Sequence, residues 1–134
     1  MRTLLSLPRV TVEEHAKDLL VFRLVGEGDD STLDEAFGLI QPLLEERAPV
    51  RVIIDGRGFA DLSMSARWKL AMRMKENRPL IGRTFIFGLS DAMQFAARVV
   101  IRASGRTNVH MVDSEREAHE AAAFHAATPS SRAS

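Results

Sequence analysis

The stretch VIIDGRGFADLSMSARWKL, Val52 to Leu70, decides how this sequence folds. It begins inside a β-branched run, Val50 to Asp55 (VRVIID), with the length and composition of a buried strand. Gly56, Arg57 and Gly58 read as turn material after it. Ser63 or Ser65 then stands where an N-cap is needed, and the segment to about Asn77 continues unbroken until Pro79 stops it. A strand, a loop and a serine-capped helix make half of a β–α–β unit, so a mostly parallel sheet is predicted.

The flanking sequence extends the pattern in both directions. Val10, Val12 and Glu14 alternate, Leu19 to Val25 (LLVFRLV) is a second apolar run, and His15 to Asp18 joins them as a hairpin connection. Gly26 to Asp30 reads as loop, Ser31 as an N-cap, and Leu33, Phe37, Ile40 and Leu44 recur at helical spacing across 32–47. Pro42 falls inside that helix and predicts a kink or a split. Downstream, Thr84 to Leu89 reads as a strand, and Ser90 with Asp91 opens a helix that ends at Gly105. Asn108 to Val112 reads as the last strand, and Ser114 with Glu117 forms a capping box for a helix to about Ala127. The predicted fold class is α/β: a single layer of mixed β-sheet with an N-terminal hairpin, in the order β-β-α-β-α-β-α-β-α. One domain is expected over 1–128, with a flexible tail over 129–134.

Composition narrows the function. The chain has 134 residues, 46% of them hydrophobic and 27% charged, the profile of an ordinary globular domain. Eighteen basic side chains balance eighteen acidic ones, against the strong basic excess of a general nucleic-acid binder. The balance is uneven along the chain: residues 1–50 carry five basic and ten acidic groups, 51–106 eleven and four, and 107–134 two and four. The segments therefore stand at −5, +7 and −2, and the basic middle is a candidate partner-facing surface. There is no cysteine, hence no disulfide, thiolate metal site or cysteine nucleophile. No apolar run is long enough to span a bilayer, and a cytoplasmic location is the expectation.

Three helix starts, at Ser63/Ser65, Ser90 and Ser114, follow parallel strands, where open α/β sheets engage ligands and partners. Only the first has further polar neighbours, and Asp55, Arg57, Gly58, Asp61, Ser63, Ser65, Arg67 and Trp68 are the candidate partner- or anion-binding residues. This stretch and the element order resemble the STAS domain of anti-sigma-factor antagonists and the SpoIIAA-like family, with Asp55, Gly58, Ser65 and Leu70 on the family's strand-end, loop and helix-start positions. The resemblance implies a non-enzymatic regulator in bacterial signalling that binds a protein partner. In that family a serine at this helix start is often phosphorylated. Here Met64 holds that place, with Ser63 and Ser65 as flanking candidate acceptors, so the resemblance implies a module lacking the usual phospho-switch.

On a helical wheel, Ala66, Leu70 and Met74 form one apolar stripe of the second helix, and Trp68, Ala71 and Met72 another. The third helix, Asp91 to Ser104, is apolar nearly all round except for Gln94, Arg98 and Arg102, with Phe95 beside them, which predicts deep burial. Trp68, Met72, Phe95, Arg98 and Arg102 are the candidate interface residues, and homodimerisation through the third helix is the corresponding expectation. Nothing signals catalysis or a cofactor: no HExxH, Walker A, GxGxxG or GxSxG occurs. His119 and His125 lie six residues apart, out of phase for one metal, and Asp55 with Asp61 lacks a nearby histidine. The competing reading is a carrier of an apolar small ligand, with six Met and seven Phe available to line a cavity.

Overall fold

A computed structural model describes residues 1–124. The expected flexible tail over 129–134, the stretch up to Ala127 expected to end the final helix, and His125 lie outside the described residues. The elements run β1 (Arg2–Ser6), β2 (Val10–Ala16), β3 (Leu19–Gly28), α1 (Asp30–Arg47), β4 (Val50–Leu62), α2 (Met64–Glu76), β5 (Ile81–Phe87), α3 (Asp91–Ser104), β6 (Val109–Met111) and α4 (Glu115–Phe124). The six strands lie side by side in chain order, β1 to β3 antiparallel and β3 to β6 parallel. This is the expected mixed single-layer sheet, with β1 as an additional edge strand ahead of the hairpin.

Placement of the helices follows from strand order. Parallel crossovers are right-handed, so crossovers that always step the same way leave their helices on one face. Accordingly α1, α2 and α3 cover one side, while α4, which follows the last strand, folds back over β4 and β5 on the other. The alternation of side chains along the central strands serves both faces. Val10, Val12, Leu20, Val50 and Val52 meet Ala36, Ile40 and Leu44 of α1. Leu19, Val21, Ile53, Phe85 and Phe87 meet Ala118 and Ala122 of α4.

Local chemistry corrects the sequence reading at several points. The GEG loop and GRG turn are strand: Val25 to Gly28 pairs with Gly58 to Leu62 through two register shifts, extending β3 and β4 as a two-stranded ribbon beyond their pairing with β2 and β5. Glycines disfavour strands in general, but here they admit close neighbours. A Cβ at Gly28 would stand 2.9 Å from Leu62 Cδ1, and one at Gly56 would collide with Leu89. The cap of α1 is Asp29 rather than Ser31, its Oδ1 accepting from Thr32 N at 2.9 Å and from the Ser31 and Thr32 hydroxyls. Pro42 does not split α1, because Ile40 and Leu44 on either side of it are both buried against the sheet and hold that turn in place. Ser63, Ser90 and Ser114 do cap their helices, accepting from Ala66, Met93 and Glu117 N–H, and Gly105 (φ +73°) closes α3 in the left-handed conformation. The third helix is amphipathic rather than deeply buried: Met93, Ala96, Val100 and Ser104 face inward, and Phe95 and Val99 are exposed.

Leu20 is fully buried at the centre of the face under α1, so Leu20→Ala is expected to cost about 2–5 kcal/mol of unfolding free energy. Urea denaturation of the two proteins checks this, with the loss appearing in the midpoint and not in the slope.

Candidate functional site

The residues grouped by the sequence divide between the two faces of the sheet. Asp55 shares the α4 face with Ile53, two residues before it on β4, and Arg57 reaches back to it. Ser63 and Ser65 begin α2 on the opposite face, where the Ser65 hydroxyl donates to Asp30 Oδ1 of α1 at 2.8 Å. Arg67 turns to the Leu62 carbonyl (2.9 Å) and to Asp61 (3.6 Å), and Gly58 sits exposed in the ribbon opposite Val25. Arg57 and Arg67 are thus tied to Asp55 and to Asp61.

Arg23, which the sequence reading passed over, is the centre of the α4 face. Its guanidinium donates to Glu13 Oε2 (2.9 Å) and Oε1 (3.1 Å), Asp55 Oδ2 (2.8 Å), and Glu115 Oε2 (2.9 Å) and Oε1 (3.2 Å). Arg57 completes the cluster on Asp55 through its backbone N–H (3.0 Å), Nε (3.1 Å) and Nη2 (2.9 Å), and lies over the Phe87 ring at 5.3 Å. His15 bonds Glu13 at 3.0 Å, His119 bonds Glu115 at 3.3 Å, and the two imidazoles approach to 5.0 Å. Strands β2, β3 and β4 are thereby joined to α4 by one guanidinium. The signal for Arg23 was available: it is the one charge inside LLVFRLV.

Protonation follows the geometry. Burial pushes the Asp55 carboxyl up, but the Arg57 side chain and N–H and the Arg23 guanidinium outweigh it and hold the group at about 2. The Arg23 hydrogen bonds likewise lower Glu13 and Glu115, and bonds from Glu115 and Glu13 raise Arg23. Such a set is a clamp; every carboxylate in it is ionised and engaged near neutrality, which leaves none in the role of a general acid. Among the described residues, no three His, Asp or Glu side chains gather to hold a metal ion, and no helix is long and apolar enough to cross a membrane.

Free surface lies on the other side. Met64, Trp68 and Met72, four residues apart along α2, are all exposed, Trp68 to 58%. Their counterparts Ala66 and Ala71 are buried, and Leu70 and Met74 line the interior, so Ala71 belongs to the inner stripe and not to that of Trp68. On the adjoining α3, Phe95 (69% exposed) and Val99 stand among Arg98 and Arg102, neither of which has an ion-pair partner among the described residues. Beneath these helices lies an almost entirely apolar cavity of about 230 Å³, bounded by Phe22, Ile54 and Ile86 of the sheet and by Phe37, Met74 and Met93 of α1, α2 and α3.

Because Glu13, Asp55 and Glu115 hold their protons less tightly folded than unfolded, their stabilisation is complete above the ordinary carboxylate range. It disappears as pH falls toward about 2. Arg23→Met is expected to lower stability at pH 7 by about 2–4 kcal/mol, below the cost of breaking a fully buried cluster because the guanidinium is partly solvated. The gap between wild type and variant should close as pH drops from about 5 to 2 in chemical denaturation; a gap unchanged over that range would contradict the clamp.

No family model matches the chain, and no curated protein sequence matches it. Solved structures do. A protein of the DUF3478 family with a SpoIIAA-like fold, from Shewanella loihica PV-4, superposes with a TM-score of 0.68 at 20% identity over 88% of this chain and 97% of its own. The anti-sigma factor antagonist SpoIIAA in its unphosphorylated form gives 0.63 at 19% identity, over 84% of this chain and 96% of its own. The phosphorylated form of the Bacillus cell fate determinant SpoIIAA gives 0.60 at 22% identity, over 84% and 97%. Sheet order, the three helices on one face and these superpositions agree that the chain has a SpoIIAA-like fold.

Proposed function

We propose that this protein is a non-enzymatic, STAS-like regulatory module of bacterial signalling that acts in the cytoplasm by binding a protein partner through α2 and α3. The observation that carries the reading is the pair of exposed apolar stripes, Met64–Trp68–Met72 and Phe95–Val99, on two helices in mutual contact. Trp, Met, Phe and Arg are the residues enriched at the centres of interfaces, and a solitary exposed Trp set in a stripe is not accounted for by the core. The fold is shared with an anti-sigma factor antagonist, which supports a regulatory role over a catalytic one. The helix start of α2 fits an unswitched module: Met64 projects into solvent, Ser63 is engaged as a cap, and a phosphate on Ser65 would lie against the Asp30 carboxylate. Homodimerisation through Phe95, Arg98 and Arg102 belongs to the same reading, with the partner taking the Trp68 stripe. A second reading, carriage of an apolar small ligand, is favoured by the cavity of about 230 Å³ beneath the helices.

Trp68→Ala is expected to leave the unfolding free energy within about 0.5 kcal/mol of wild type, as surface changes do. Phe95→Glu should convert a dimeric mass to a monomeric one in multi-angle light scattering. Trp68→Ala should lose at least about tenfold in affinity for a partner isolated with the wild-type protein. Retention of that affinity by Trp68→Ala, at equal stability, would remove α2 from the interface.

A further inference from the structure

Arg106 is a buried charge that neither the Arg23 clamp nor the α2–α3 surface uses. It follows the left-handed Gly105, is only 5% exposed, and lines the apolar cavity. Its Nη2 donates to the Gly82 carbonyl at 2.8 Å and the Thr84 hydroxyl at 3.3 Å, while its Nε is buried with no hydrogen-bond partner. No carboxylate pairs with it among the described residues, and its charged neighbour is another arginine, Arg78. Burial and Arg78 together push the group down to about 10, still fully charged at neutral pH. A buried, unpaired guanidinium is among the costlier things a fold can hold, and it is the ordinary counterpart of a planar anion. The other charged residues bordering the cavity, Arg9 and Glu27, are exposed, and Arg9 is occupied by the Glu27 carbonyl at 3.1 Å. A cavity with apolar walls and one buried cation matches a molecule with an apolar body and one carboxylate.

We propose that the cavity is a binding site for a fatty-acid-type monocarboxylate, its carboxylate paired with Arg106 beside Thr84 and its hydrocarbon chain lying between the sheet and α1, α2 and α3. The proposal deepens the reading of the cavity as a ligand site and adds the ligand's charge and orientation. The anion would offset the unpaired charge of the guanidinium, and the chain would fill space that otherwise deprives its lining of contacts. Neither step needs a change at the Arg23 clamp on the opposite face.

The test uses the full chain with decanoate and 1-decanol as probes, followed by calorimetric titration. Decanoate is expected to bind at least about tenfold more tightly than decanol, the gain of a charge-assisted bond inside an apolar site. Arg106→Met, which replaces a buried unpaired charge by an apolar chain of similar length, should abolish that preference while still admitting decanol. Arg9→Ala should leave it intact. On the wild-type protein alone, ¹³C-carboxyl-labelled decanoate should remain ionised when bound at a pH where the free acid is protonated. That measurement holds even where a variant fails to fold. Equal affinity for decanoate and decanol would overturn the Arg106 assignment while leaving an apolar ligand site standing. Loss of the preference in Arg9→Ala instead of Arg106→Met would overturn the assignment in the same way, placing the carboxylate at the mouth. Binding of neither probe would overturn both the proposal and the cavity reading beneath it.

Discussion

Everything in this molecule is registered on the parallel pairing of β3 with β4. Leu20 lies beside Val52 and Val21 beside Ile53, so one pair of rows faces α1 and the next faces α4. A slip of one residue would turn each row to the wrong face, and both cores would lose their apolar sides together. The register also places Arg23 beside Asp55, at the start of α4. The hydrophobic part of the pairing therefore ends in a charge clamp, and that clamp fixes where the last helix docks. Glu115 in the first turn of α4 is held by the same guanidinium that holds β2 and β4. Hydrophobic burial supplies the stabilising area, and the arginine specifies the arrangement.

Folding changes the meaning of the uneven charge distribution. The basic middle segment looks like an exposed cationic surface when read along the chain, yet three of its eleven basic side chains pair with the acidic segments in space. Arg51 meets Asp18 at 2.7 Å, Lys69 meets Asp34 at 2.9 Å, and Arg57 meets Glu115 at 3.3 Å. Part of the excess of one segment is thus the counter-charge of another. Exposed pairs of this kind contribute little stability each, but they suppress a wrong docking of α1 on α2 or of α4 on the sheet. Arg98 and Arg102 on α3, beside Phe95, and Arg106 at the cavity are among the cations without an ion-pair partner among the described residues.

The architecture was legible because strands and helices alternate with strong periodic signals and serine caps. Ile40 and Leu44, Ala66, and Val21 with Ile53 all fall where their spacing puts them. The errors came where a local rule met a tertiary fact. Glycine-rich GEG and GRG read as turns, but Gly28 opposite Leu62 and Gly58 opposite Val25 admit the close neighbours of a parallel ribbon. The candidate site was half legible. Asp55 and Arg57 lie together, yet the register shifts at the end of β4 and the crossover to α2 on the other face separate them from Ser63 and Ser65, which no local spacing announces. Arg23 was visible as a charge in an apolar run; Arg106 was not, since an arginine after a C-cap glycine reads as ordinary loop until the cavity beside it is seen.

Two surfaces and one interior therefore divide the tasks. The α4 face is consumed by its own clamp, where each of Glu13, Asp55 and Glu115 is paired with arginine. The opposite face keeps its apolar stripes exposed on α2 and α3, and those same helices form the roof of the cavity: Leu70 and Met74 point inward from the helix that presents Trp68 and Met72 outward. A partner on the outside and a ligand on the inside would act on the same two helices from opposite sides. Coupling between them then requires no rearrangement of the sheet, only a difference in how α2 and α3 sit when the space beneath them is filled. Such coupling is reciprocal: whatever the ligand adds to partner affinity, the partner adds to ligand affinity.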